Sequence, residues 1–230
     1  MDLGLYIAAT GMVAEQTRQD QLSNDLANAS TPGYKSDESP QHSFGEVLLA
    51  NSQGSAAIGS VDAGVALGKT YTDMTPGSIQ ETGEPLDFAI EGTGFFAVKT
   101  AQGTRYTRDG QFTTSAAGLL TDLNGNPVLS SSGAEIKVPA TGTLSAGAVG
   151  AFEVTGAEKQ GENLFTGKAA GKAAGAVRQG ALEGSGVDAA KVMIEMITSL
   201  RSFQSGQQAI QAIGQTLQAA STQVGSMNGS

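Results

Sequence analysis

Carboxylates are the first residues to weigh for chemistry. Glu81, Glu84, Asp87 and Glu91 fall in one short stretch, and a pair of carboxylates flanking a bond is what glycoside hydrolysis requires. A hydrolase cleft also carries aromatic walls, and this chain has no Trp and only 5% aromatic residues. A solvated acidic face is therefore expected. Asp122-Leu123-Asn124-Gly125-Asn126 imitates the opening of a calcium loop, but Gly133 stands where the closing Glu is needed, which leaves a hairpin turn. Gly92-Thr93-Gly94 lacks the third glycine of a dinucleotide fingerprint, and no Lys-Ser or Lys-Thr pair completes a phosphate loop. His42 is the sole histidine, so neither a His-dependent triad nor a multi-His metal site can be built. With no cysteine, disulfides, thiolate metal sites and cysteine nucleophiles are excluded too. The expectation is a chain with no catalytic site, no cofactor site and no metal site.

Charge points the same way. The net charge of −9 sits in the middle: residues 37–165 hold fifteen acids against six bases, residues 1–36 contribute −2 and residues 166–230 contribute +2. A solvated middle between near-neutral ends suits ends that pack closely. Clustered Lys and Arg, the footprint of nucleic-acid binding, are missing, so no nucleic-acid partner is expected. No apolar run is long enough to insert in a membrane. Met1-Asp2-Leu3-Gly4 has no basic region followed by an apolar run, so a cleaved secretory signal is not expected.

What such ends must contain is helix. From about Leu3 to Ala29 the residues Leu5, Ala8, Met12, Gln19, Leu22 and Leu26 recur at steps of three and four, with one full heptad from Met12 to Gln19, the spacing of a coiled-coil seam. From about Val187 to Val224, Phe203, Ile210, Leu217 and Val224 recur every seven residues, as do Met193 and Leu200. The step from Leu200 to Phe203 then reads as a stammer. The first helix has a definite stop at Asn28-Ala29-Ser30-Thr31-Pro32-Gly33, where Pro and Gly cannot continue it. The expected assembly interface is Leu5, Met12, Leu22, Leu26, Ile197, Leu200, Phe203, Ile210, Leu217 and Val224.

Between the helices the pattern changes to strands and turns. Leu86 to Ile90 alternates large apolar residues with others, Phe95-Phe96-Ala97-Val98 follows, and Asp109-Gly110 and Asn124-Gly125 are dipeptides that accept positive φ in tight hairpins. The division expected is an N-terminal helix over 1–33, a connector over 34–67 with one apolar stretch at Phe44 to Leu49, a middle β domain over 68–165, a flexible return linker over 166–186 and a C-terminal helix over 187–230. The linker reading rests on Gly167, Gly171 and Gly175, each of which would weaken a helix by about 1 kcal/mol. The fold class expected is α+β: an antiparallel β domain flanked by terminal helices that pair as a coiled-coil-like domain.

Three blocks carry a resemblance. Gln21-Leu22-Ser23-Asn24-Asp25-Leu26-Ala27-Asn28-Ala29-Ser30-Thr31-Pro32-Gly33-Tyr34-Lys35 is similar to the N-terminal signature of the flagellar rod and hook proteins, with Asp25 where that pattern has a second Asn. Its motif residues here are Ser23, Asn24, Leu26, Ala27, Asn28, Thr31, Pro32 and Gly33. Thr82 to Phe96 with Tyr106 to Phe112 resembles the family's middle β domain, and Gly161 to Phe165 the short element before its C-terminal return. Gly180 to Asp188 resembles its entry to the last helix, with Ser185-Gly186-Val187 where the family has Ser-Asn-Val and Phe203 where Tyr is common.

The resemblance implies an axial structural protein of the bacterial flagellum, located in the basal body and exported by the flagellar type III apparatus. Its partners would be copies of itself in a helical homopolymer, neighbouring rod and hook proteins, and the rings around them. A chain of 230 residues has room for one middle domain, which favours a rod subunit over a hook subunit. Phe44 to Leu49 followed by Gly64 to Gly68 resembles a distal-rod connector, so a distal position is favoured over a proximal one. The alternatives are a hook-type subunit, an oligomeric carbohydrate-binding or enzymatic β module, and a surface filament subunit outside the flagellum.

Overall fold

The computed structural model describes residues 3–43, 64–139, 142–161 and 163–227. The chain divides into two compact units: one takes residues up to 26, 37–71 and those from 189 on, the other residues 27–36 and 72–188. The fold is α+β, with antiparallel strand pairing throughout the described registers. Phe44 to Leu49, the apolar stretch expected in the connector, lies outside the described residues.

The first unit contains α1 (Leu3–Ala27) and α2 (Ala189–Met227). Neither holds a proline, and Ala, Gln, Leu and Met, all good helix formers, dominate both. Asp188, a residue type that serves as an N-cap, immediately precedes α2. The helices run antiparallel, as three contacts show. A Cβ added at Gly206 would lie 2.8 Å from Met12 Cγ, Ser199 Oγ donates to Glu15 Oε2 at 2.6 Å, and Arg18 Nη2 stands 3.6 Å from Glu195 Oε2. From Val192 on, the uncharged positions of α2 turned away from solvent are Val192, Met196, Ser199, Phe203, Gly206, Ile210 and Ile213, an alternation of four and three, with Glu195 half-buried beside them. There is thus no stammer between Leu200 and Phe203. Leu200 belongs to the outer face, and the small Ser199, invisible to an apolar pattern, takes its place in the seam. This unit also holds β1 (Asp37–Glu38), with β2 (Gln41–Ser43) paired antiparallel to β3 (Val65–Leu67), His42 opposite Ala66.

Besides residues 27–36, the second unit takes up the chain again at Thr72, the last residue of β4 (Tyr71–Thr72). It continues with β5 (Ile79–Glu81), β6 (Phe88–Glu91), β7 (Phe95–Thr100), β8 (Gly103–Thr107), β9 (Thr113–Thr114) and β10 (Leu120–Thr121). Then come β11 (Ala151–Gln160), β12 (Leu164–Lys172), β13 (Ala176–Gln179) and β14 (Ala181–Glu183). Strands β11, β12, β8 and β7 close a small barrel, in that order. Because side chains alternate across a strand, β7 feeds two cores at once. Phe95 and Ala97 pack with Tyr106, Leu129 and Phe165. Phe96 and Val98 pack with Phe88, Ile90, Phe112, Leu120 and Val128. Phe96 meets Phe112 edge-on, with centroids 5.3 Å apart and planes at 79°, the arrangement aromatic quadrupoles favour.

The sequence reading of 166–186 as a flexible linker differs from the structure, where strands run through most of it. Residues 164–172 pair with β11, β13 pairs with β6 and β14 with β5. Two of its glycines serve close approach: a Cβ at Gly167 would lie 2.4 Å from Val154 Cγ1, and one at Gly175 2.4 Å from Thr93 O, while Gly171 takes a φ of +125° in open space. Their low helix propensity is irrelevant in strands. Of the two hairpin dipeptides, Asn124-Gly125 has the positive φ expected, 82° at Gly125. Gly110 does not, and is small for another reason: Phe88 N–H donates to its carbonyl at 3.0 Å, and a Cβ there would fall 1.6 Å from Phe88 O.

Candidate functional site

Three of the four acidic residues that invited a catalytic reading are committed to partners. Glu81 and Glu91 both pair with Arg178, the latter at 3.2 Å. Asp87 is buried and accepts from Thr82 Oγ1 at 2.7 Å, while Glu84 is exposed. Asp122 Oδ1 accepts the amides of Asn124 and Asn126 at 3.0 and 2.7 Å, so its carboxylate closes a turn. His42 is exposed on β2. Among the described residues no group of three or more His, Cys, Asp or Glu is arranged to hold a metal. Asp109 has a raised titration: burial pushes it up from 3.8 to about 6, and the charges of Asp122 and Asp87 add to this, against hydrogen bonds from the Gln111 amide and Asn163.

Two other features are organised. The first is the outer face of α2. Met193, Ile194, Ile197 and Leu200 are 45 to 66% exposed, on a stripe that runs from the flank of the Val192 to Ile213 seam round to the back of the helix. The residues expected as the assembly interface therefore divide. Leu22 is buried, Leu5, Met12, Leu26, Phe203 and Ile210 are half-buried, and Ile197, Leu200 and Leu217 are exposed. The side chain of Val224 lies outside the described residues. Tyr6 and Val13, seven apart on α1, are exposed as well.

The second is a buried ionic triad in the β unit, built from three distant parts of the sequence. Glu183, the last residue of β14, receives Lys35 Nζ on Oε1 at 2.6 Å and Arg108 Nη1 on Oε2 at 2.9 Å. All three side chains are at most 3% exposed. The Gly77 amide also donates to Oε1 at 2.8 Å, Lys35 Nζ donates to Thr75 O, and Arg108 Nη2 donates to Gly92 O at 2.8 Å. The Arg108 guanidinium lies over the Phe95 ring, 5.3 Å from its centroid.

The motif that ends α1 delivers Lys35 to this place. Thr31 N–H donates to Asn28 O at 3.1 Å and Tyr34 N–H to Thr31 O at 3.3 Å, while Thr31 Oγ1 meets Asn28 Oδ1 at 3.1 Å. These tight turns need Gly33, whose φ is +65° and whose missing Cβ would collide with Arg108 C at 2.3 Å. Of the other motif residues, Asn28 is buried, Leu26, Thr31 and Pro32 are half-buried, and Ser23, Asn24 and Ala27 are exposed. Each triad member stands in one of the three sequence motifs, but a pattern along the chain does not show that three motifs converge on one carboxylate.

Comparison with known proteins gives this arrangement its context. Residues 5–35 match the family model described as flagella basal body rod protein. Residues 89–155 match the flagellar hook protein FlgE/F/G D1 domain, and residues 178–223 the flagellar basal body rod FlgEFG protein C-terminal model. The flagellar hook-basal body complex protein FlhO of Bacillus subtilis (strain 168) is 31% identical, over 96% of this chain and 98% of its own length. The chain belongs to the flagellar basal-body rod and hook family. The flagellar basal-body rod protein FlgG of the same organism is 30% identical over 93% of this chain and 96% of its own. The flagellar basal-body rod protein FlgF of Escherichia coli (strain K12) is 30% identical over 93% and 94%. Each of the three family segments supplies one member of the triad: Lys35 from the first, Arg108 from the second and Glu183 from the third. Among the described residues no helix is long and apolar enough to cross a membrane.

Proposed function

We propose that this chain is a non-catalytic structural subunit of the bacterial flagellar basal-body rod, polymerising through its terminal helices into a helical tube that transmits torque to the hook. Its partners on this reading are copies of itself, the adjoining rod and hook subunits, the surrounding rings, and the type III apparatus that exports it. A distal position in the rod is our reading from the connector sequence.

The observation that carries the proposal is the apolar outer face of α2. Fully burying a side chain such as Leu, Ile or Met is worth roughly 1.5–3 kcal/mol, and Met193, Ile194, Ile197 and Leu200 forgo a large part of that in the single chain. The seam face is already occupied by α1, so an outer apolar stripe is a surface made for another molecule. In a tube, coiled-coil-like packing between subunits would cover it, and many such modest contacts would add up to a shaft that carries torque.

Ile197→Asp/Leu200→Asp tests this directly. The purified variant should melt like the wild type, because both side chains are exposed, while cells carrying it should be non-motile with few complete basal bodies. Wild-type motility would refute the proposal.

A further inference from the structure

The buried triad does more than end a strand. Two cations answer one carboxylate, Lys35 and Glu183 being 1% exposed and Arg108 3%. Around it the stretch leaving α1 and the stretch entering α2 are tied to each other as well. Gly33 N–H donates to Glu183 O at 2.9 Å and Gly186 N–H to Tyr34 O at 2.9 Å, and Ser185 Oγ donates to Asn28 O at 3.0 Å. From the barrel, Lys159 Nζ donates to Lys35 O at 2.7 Å and lies 4.0 Å from the centroid of the Tyr34 ring. Residues 28–36 and 184–188 form no strand. Beyond single backbone bonds from Gly184 N–H to Ser78 O at 2.7 Å and from Asp73 N–H to Ser36 O at 2.9 Å, the charges and the bonds above help to hold them.

We infer that the Lys35–Glu183–Arg108 triad is a two-ended latch: the stretch leaving α1 and the stretch entering α2 dock on the β body only as a pair, so that losing either end frees the other. Without the Glu183 carboxylate, the Lys35 ammonium would keep only the Thr75 carbonyl in a site closed to water, and a buried charge without its counterion leaves for solvent. Residues 33–35 would go with it. Without the Lys35 ammonium, Glu183 keeps Arg108 and the Gly77 amide, so the release is weaker in that direction. Coupling between two docked elements is reciprocal in free energy, and both lesions must therefore loosen both stretches. In a subunit threaded through an export channel, a consequence that rests on the rod reading, residues 28–35 must wait for residue 183, and both helices gain fixed roots in one event.

Hydrogen exchange on the full-length protein, Glu183→Gln and Lys35→Met tests the latch. The informative amides are those of Gly33 and Gly186, whose acceptors are backbone carbonyls that neither substitution removes. In Glu183→Gln both should exchange faster, on the order of a hundredfold, with the amides of β7 and β8 changed far less. In Lys35→Met both should accelerate together by a smaller factor. Acceleration of one without the other, or of neither, overturns the latch. So does a Lys35→Met variant in which β7 and β8 accelerate as much as Gly33, since that would make the triad part of the barrel's own stability. Motility of the same strains bears on the rod reading alone.

Discussion

Asp109→Asn should stabilise the β unit at neutral pH and remove a pH dependence from it. Asp109 is mostly buried, and its carboxyl is raised from 3.8 to about 6, chiefly by that burial, with the negative charges of Asp122 and Asp87 adding to it. A raised carboxyl means that the folded state holds its proton over a range where the unfolded chain has released it. This contribution to stability is complete below about pH 4 and is lost as pH rises through about 6. The step from 3.8 to about 6 corresponds to about 3 kcal/mol, an upper figure for a side chain that keeps some contact with water. The substitution keeps a carbonyl oxygen for the Gln111 amide, which now donates to Oδ1 at 3.0 Å. It also gives Asn163 a better partner. At present Asn163 Nδ2 reaches Asp109 Oδ2 at 3.4 Å while Asn163 Oδ1 is buried with no partner. Turning the Asn163 amide over would let Oδ1 accept from the new amide. Urea unfolding of both proteins at pH 4, 5, 6 and 7 gives the difference directly, and other carboxylates, such as Asp73 with its lowered titration, cancel in it. The variant should match the wild type near pH 4 and exceed it by up to about 3 kcal/mol at pH 7. A difference that stays constant from pH 4 to 7 would refute the reasoning.

Gly33→Ala combines an unfavourable φ of +65° with a Cβ 2.3 Å from Arg108 C; a loss of about 3 kcal/mol or more is expected in chemical unfolding of the β unit, and a loss under about 1 kcal/mol would contradict the docked geometry. Leu217→Asp, at a position 47% exposed, should leave thermal melting of the purified protein unchanged and abolish motility. Phe203→Asp places a charge in the seam between α1 and α2, so helical circular dichroism should fall while the near-ultraviolet signal of the barrel aromatics stays; loss of both signals together would show that the helices and the barrel melt as one.

Much of the architecture was legible because it rests on patterns that run along the chain. The stop of α1 was readable from Thr31-Pro32-Gly33, and the helix ends at Ala27. Leu86 to Ile90 and Phe95 to Val98 announced strands that became β6 and β7. Reading failed where small residues carry the packing. Ser199 and Gly206 belong to the seam by close approach and a hydrogen bond to Glu15, and neither property registers as apolarity. Leu200 was drawn into the seam because it is large, and a stammer was needed to accommodate it. Residues 167–175 read as a tether because Gly, Ala and Lys have no strand signature of their own. Their pairing comes from β11 and from Phe165, fully buried at the start of β12, which are facts about partners. The triad was hidden for the same reason: separations of 148 residues between Lys35 and Glu183 and 75 between Arg108 and Glu183 leave no local trace.

Energy alone does not explain that triad. Taking three charged groups out of water is expensive, and well-packed apolar side chains of similar size often stabilise a core as well or better. Here the imbalance of two cations to one anion, and an Arg108 Nε with no partner, make the trade poorer still. What the charges supply is discrimination. An apolar patch accepts a Leu or Met offered by many registers of the arriving chain, whereas Glu183 is satisfied only when Lys35, Arg108 and the Gly77 amide all meet it. A displacement of Gly33 or Gly186 by one residue would leave a charge buried and unpaired. In a chain whose ends are long helices with repeating seams, and so with several nearly equivalent ways to slide, that intolerance fixes which residue of each end meets the β body.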